Sequence, residues 1–194
     1  KQNSFVKLGV ARIAIKAIAT HAANIEGNLA DEGIELLLEI GNGGNAALQS
    51  MVVDHIANRD KDNKFLLHLK TRMNDSLDVI NLRKDITVNG YVIMTHENRA
   101  EYTNAVRTLL LLKELCSNHC LECQNILRDQ PSHGVSINLI ELASTTLAVL
   151  CDTSHALKEM EDCELNLAIA LLEFLTETIQ GPCPRNQELL SGHD

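Results

Sequence analysis

The chain has 194 residues, 45% hydrophobic and 22% charged, with a formal net charge of −9; that is long enough for a packed core and too apolar for disorder. Aromatic residues make up 3%, with no Trp, and no basic run occurs, which argues against nucleic-acid and anionic-membrane surfaces, both of which depend on cation–phosphate contacts. No apolar stretch reaches the roughly 20 residues a bilayer span requires; the best candidate, 165–175, carries Glu173.

In chain order, Val6, Val10, Ile13, Ala17 and Ile18 recur at helical spacing, with Asn3 or Ser4 as N-cap, until Gly27 and Asn28 break the pattern. Asp31 is expected to cap a second helix through Leu36, Leu37 and Ile40, stopped by Gly41-Asn42-Gly43-Gly44. Asn45 caps a third, carrying Leu48, Val52 and Ile56; the polar run 58–63 reads as a loop, and 65–80 as a long fourth helix. Residues 86–95, which contain Asn89-Gly90, are the one stretch that reads as extended, a hairpin or a connection. Helical pattern resumes near Asn98 and runs to Cys116, followed by a short helix over 121–127 and a loop at 131–134. Ser136 is expected to cap the next helix, through Leu150. The last, about 163–179, is apolar on two sides and so expected to be deeply buried; Gly181-Pro182 ends it and Pro184 blocks its continuation.

Eight or nine helices with short links and almost no strand imply an all-α fold, an armadillo/HEAT-like α-solenoid with degenerate repeats. Residues 1–88 form its first part, 89–97 a connection and 98–194 its second part, within one continuous domain. The chain begins at Lys1 without a signal-peptide pattern, and is read as a segment of a longer protein. Six cysteines, three of them at 116, 120 and 123, do not make a disulfide framework and fit a reducing compartment.

Cys116, His119, Cys120 and Cys123 have the composition of a zinc site, but their offsets place all four along one side of a single helix, whereas tetrahedral zinc needs converging ligands. Core packing is the preferred reading, since free Cys behaves as a small apolar side chain. Glu173 and Glu177 share a helix face, which is ordinarily a solvated one. His21, His55, His68 and His155 have no evident catalytic partner, and no nucleophile elbow or phosphate loop occurs. An enzyme is not expected.

Two stretches carry a resemblance. One is Leu115-Cys116-Ser117-Asn118-His119, followed by Gln124-Asn125-Ile126-Leu127-Arg128. The other is Leu175-Thr176-Glu177-Thr178-Ile179-Gln180-Gly181-Pro182-Cys183, followed by Asn186-Gln187. Together they make residues 109–190 resemble the homology-associated region shared by ryanodine receptors and inositol trisphosphate receptors, with a slight lean to the latter. A weaker match runs from Leu36 to Asn89.

The resemblance implies a cytosolic coupling module of an endoplasmic reticulum calcium-release channel, a homotetramer. Its partners would be other domains of that channel and neighbouring subunits. The resemblance also implies a calcium site, onto which Glu177, Gln180 and His119 map. Ser117 stands where the family has the first of its two glutamates, which leaves that site incomplete, because calcium takes six to eight oxygens; Glu122, several helix positions away, is not taken as its substitute. The rival reading is a free-standing armadillo-type scaffold that binds a partner helix or peptide.

Overall fold

The computed structural model describes residues 9–20, 29–87, 94–152 and 160–192. Among them are nine α-helices and no strand. They are α1 (Val10–Thr20), α2 (Leu29–Gly41), α3 (Ala46–Asp54), α4 (Lys64–Thr87), α5 (His96–Cys116), α6 (Leu121–Ile126), α7 (Leu139–Leu150), α8 (Asp162–Ile179) and α9 (Pro184–Ser191). A π turn, His55–Arg59, prolongs α3, and a 3₁₀ turn, Ser117–His119, ends α5.

The helices pack in pairs and in rows. Helix α1 packs on α2, α4 on α5, and α7 on α8. Side by side, α1, α4 and α7 form one row and α2, α5 and α8 a second, while the short helices α3 and α6 touch each other along the edge. Each pair closes an apolar stripe that one amphipathic helix cannot bury alone. Helix α5, in the middle of its row, buries Tyr102, Ala105, Leu109, Leu111, Leu112 and Leu115. The arrangement is compatible with an α-solenoid.

Several boundaries depart from the sequence reading. Asp31 lies inside the first turn of α2 and pairs with Arg72 of α4 rather than capping. The π turn carries helix through 55–59, so the loop shrinks to 60–63. There Asp60 caps α4, its carboxylate accepting from Lys64 N (3.0 Å) and Phe65 N (2.7 Å). Ile86 and Thr87 are helical rather than extended, and the Asn89-Gly90 turn lies outside the described residues, as do His21, Gly27, Asn28 and His155. Helix α5 starts at His96, two residues before Asn98, and Thr95 caps it, its Oγ1 accepting from Asn98 N. Asn138 caps α7, because the Ser136 hydroxyl is already bonded to Gln130 and Asp129.

Helix α8 is buried along one stripe only. Leu167, Ala168, Ala170, Leu171, Phe174 and Thr178 are inside, while Leu165, Ile169 and Leu172 remain 50, 45 and 53% exposed. The reason is position: α8 ends its row, and no described helix covers its far side. Pro184 does stop the continuation of α8, yet it also opens α9 from the first helical position, where a missing N–H costs nothing.

Candidate functional site at the edge turns

The internal repetition that residue identities hide is plain in the backbone. Each unit of two long helices ends in the same turn and a short helix: 41 to 46, 116 to 121 and 179 to 184 separate the last residue of the long helix from the first of the short one. Asn45, Cys120 and Cys183 are the N-caps. Gly43, Asn118 and Gly181, at matching positions, all have positive φ (79°, 60° and 80°). Leu48, Cys123 and Asn186 are the matching inward residues, all buried.

The three turns lie edge to edge. Asn118 Nδ2 donates to Gly43 O and Gly44 O, both at 3.0 Å, and Gly43 N donates to Glu114 Oε2 at 2.8 Å. A Cβ on Gly44 would fall 2.2 Å from Asn118 Nδ2, and one on Gly181 would fall 3.1 Å from His119 Cβ. Glycine therefore serves both positive φ and close approach at these two positions.

Behind each seam sits a glutamine. Buried Gln49 of α3 donates to Leu115 O (3.1 Å) and Ser117 O (2.8 Å) at the end of α5. Buried Gln124 of α6 donates to Glu177 O (2.8 Å) and Gln180 O (2.9 Å) at the end of α8. A helix leaves its last carbonyls without intrahelical partners, and here each unit's short helix satisfies those of the next. Gln187, the third in the series, is exposed and bonds instead to Ile179 O and Gly181 O of its own unit. Asn186 adds to the second seam, donating to Gln124 O (3.2 Å) and Thr178 O (2.9 Å).

Ser117, His119, Glu177 and Gln180, far apart in sequence, thus line one cavity of about 660 Å³, with Glu114, Lys113 and Glu173 also in its wall. Glu177 is half-buried and accepts from Gln180 Nε2 at 3.4 Å. Glu173 is exposed and pairs with Lys113 at 3.0 Å. The Ser117 hydroxyl donates to Lys113 O at 3.1 Å. By themselves these donors fall short of the six to eight oxygens calcium takes: the Ser117 hydroxyl is bonded to the backbone, and the Lys113 ammonium shares the wall. Among the described residues no group of three or more His, Cys, Asp and Glu is disposed to hold a metal ion.

The cysteine-rich stretch bends at Ser117–His119, between the two helices that the sequence separates there. Cys116 closes α5, His119 lies in the 3₁₀ turn at positive φ, Cys120 caps α6 and Cys123 faces inward. Cys116 and Cys123 are core residues, as the packing reading has it. Burial pushes the Cys116 thiol up. The hydrogen bond from the Cys123 thiol pulls half-buried Cys120 down to about 6, against the opposing effect of burial. The same hydrogen bond, then burial, pushes Cys123 up.

Residue identities give no hint of the seam glutamines. Gln49 and Gln124 stand within the resembling stretches, but nothing in the sequence assigns them a partner; the shared spacing from helix stop to short helix is the signal that would have found them. Among the described residues, no helix is long and apolar enough to cross a membrane. Residues 99–194 match the family model described as RyR and IP3R Homology associated. The match spans both resembling stretches and does not separate the two branches.

Proposed function

Because residues 99–194 belong to the RyR and IP3R homology-associated family, we propose that the chain is a non-catalytic coupling module of an intracellular calcium-release channel. In this reading it is a stretch of armadillo/HEAT-like solenoid within a longer polypeptide, on the cytosolic face of the endoplasmic reticulum. It passes ligand-driven movement toward the pore of a homotetramer through other domains and neighbouring subunits. The observation that carries the reading is the seam at Gln124. The two stretches that bear the family likeness meet there, with α6 of one unit bonded to the end of α8 in the next. Polar bonds from a buried amide to the end of a neighbouring helix move two elements together, because breaking one leaves the amide and its carbonyls unpaired.

The calcium site implied for Glu177, Gln180 and His119 enters this proposal only as half a site, whose remaining oxygens would come from another element. The coupling role does not rest on it.

In a channel that carries this segment, Gln124→Ala is expected to lower agonist-evoked calcium release severalfold while leaving the conductance of the open pore unchanged. Unaltered release at matched expression would remove the basis for a coupling role. The half-exposed Leu165, Ile169 and Leu172 stripe favours the second reading, a scaffold that docks a partner helix. That reading predicts partner binding by the isolated chain, weakened by Leu172→Glu and indifferent to Gln124.

A further inference from the structure

We propose that Cys120 and Cys123 form a redox-active dithiol, which a hydroperoxide converts to a disulfide. The internal repetition supplies the geometry. Asn45, the cap of the first unit, directs its Oδ1 at Ala47 N (3.0 Å) and Leu48 N (3.2 Å). Cys120 and Cys123 occupy the places of Asn45 and Leu48. A side chain at this cap therefore lies over the residue one turn further on, and in the second unit both are thiols. With a Cα radius of about 2.3 Å and a rise of about 1.5 Å per residue, helix positions three apart have Cα atoms about 5 Å from each other, within the Cα separation of about 4.4–6.8 Å that a disulfide spans.

The two sulfurs have different surroundings. Cys120 is half-buried at the turn, next to exposed Asn118, His119, Leu121 and Glu122, whereas Cys123 is 1% exposed beneath it. Peroxide therefore reaches Cys120 first, and Cys123 is placed to resolve the product. In the first step the Cys120 thiolate attacks one peroxide oxygen, the O–O bond breaks, and the departing hydroxide takes a proton to leave as water. In the second, Cys123 Sγ loses its proton and attacks Cys120 Sγ; the S–O bond of the sulfenic acid breaks and hydroxide leaves as water. Two thiols are oxidised by two electrons, and one hydrogen peroxide is reduced to two waters.

The other cysteines act as internal controls. Cys116 and Cys183 are buried, and Cys151 and Cys163 are half-buried with thiols pushed up by burial. The test treats the reduced chain with one equivalent of hydrogen peroxide at neutral pH, followed by intact mass and peptide mapping. The expected result is a loss of about 2 Da, with the bond mapped between Cys120 and Cys123. Cys123→Ser is expected to stop at a sulfenic acid on Cys120, trapped by dimedone. Cys120→Ser should consume peroxide at least about tenfold more slowly. A circular dichroism spectrum matching that of the parent chain is the check that both variants fold. A disulfide mapped elsewhere, free thiols at both positions after oxidation, or a Cys120→Ser variant that oxidises at the parent rate would each overturn the proposal.

Discussion

Gln49 and Gln124 are chemically ordinary side chains that acquire their role from position alone. Each puts one amide between two terminal carbonyls of a neighbouring unit. Truncating Gln124 to Ala leaves the Glu177 and Gln180 carbonyls without that donor and opens a small void, so a loss of about 2 kcal/mol is expected from the shift in urea midpoint. Gln187→Ala, at the matching but exposed position, should change that midpoint by less than about 0.5 kcal/mol. Burial also acts on two histidines. It pushes His55 and His68 below the ordinary imidazole range, with the Arg72 charge adding to the effect at His68. The unfolded chain then binds protons more readily than the folded one. Stability is full above the ordinary histidine pKa and falls as pH drops through it toward the folded values. Urea midpoints at pH 7.5 and pH 5.5 check this; an unchanged midpoint would show that these histidines stay solvated. The likeness to a known family led to Glu177, Gln180 and His119, but it did not reveal the amides that hold their turns together.

Among the elements, α8 shows most directly how a helix is both started and fixed. Glu161 and Glu164 form a capping box, with Glu161 N donating to Glu164 Oε2 at 2.9 Å. The same Glu164 is buried, pairs with Arg83 of α4 and accepts from Tyr102 Oη of α5 at 3.4 Å. One carboxylate therefore caps its own helix and ties two others to it. Glu164→Ala is expected to cost about 3 kcal/mol, because it leaves the largely buried Arg83 without its closest partner and also removes the cap. Glu164→Gln, which keeps the shape and part of the bonding, should cost less; equal losses in calorimetry would argue against a charge-dependent tie. The sequence made the body of α8 legible through its apolar spacing and made Asn45 legible as a cap. It concealed α9, because a proline after a helix stop reads as a breaker while the same ring suits the first turn of a new helix. It also suggested two buried faces for α8, since periodicity records which side chains are apolar and not which neighbours are present.

At the scale of the whole molecule, the two rows make α5 the central member. It packs on α4 within its unit, on α2 before it and on α8 after it, whereas among the described residues α1 packs chiefly on α2 and α4. In an arrangement built from neighbour contacts, stability is close to a sum of unit and interface contributions. The effect of a cavity should therefore depend on where in the row it is made. Leu112→Ala, at a fully buried position of α5, removes packing from the central unit and both its interfaces. A loss of about 3 kcal/mol is expected, with hydrogen-exchange protection lowered from α2 to α8. Ile18→Ala, equally buried in α1, should release α1 and α2 while the amides of α7 and α8 keep their protection. If both variants instead lower protection uniformly, the nine described helices fold as one cooperative bundle. The seams at Gln49 and Gln124 would then be ordinary core contacts rather than joints between units.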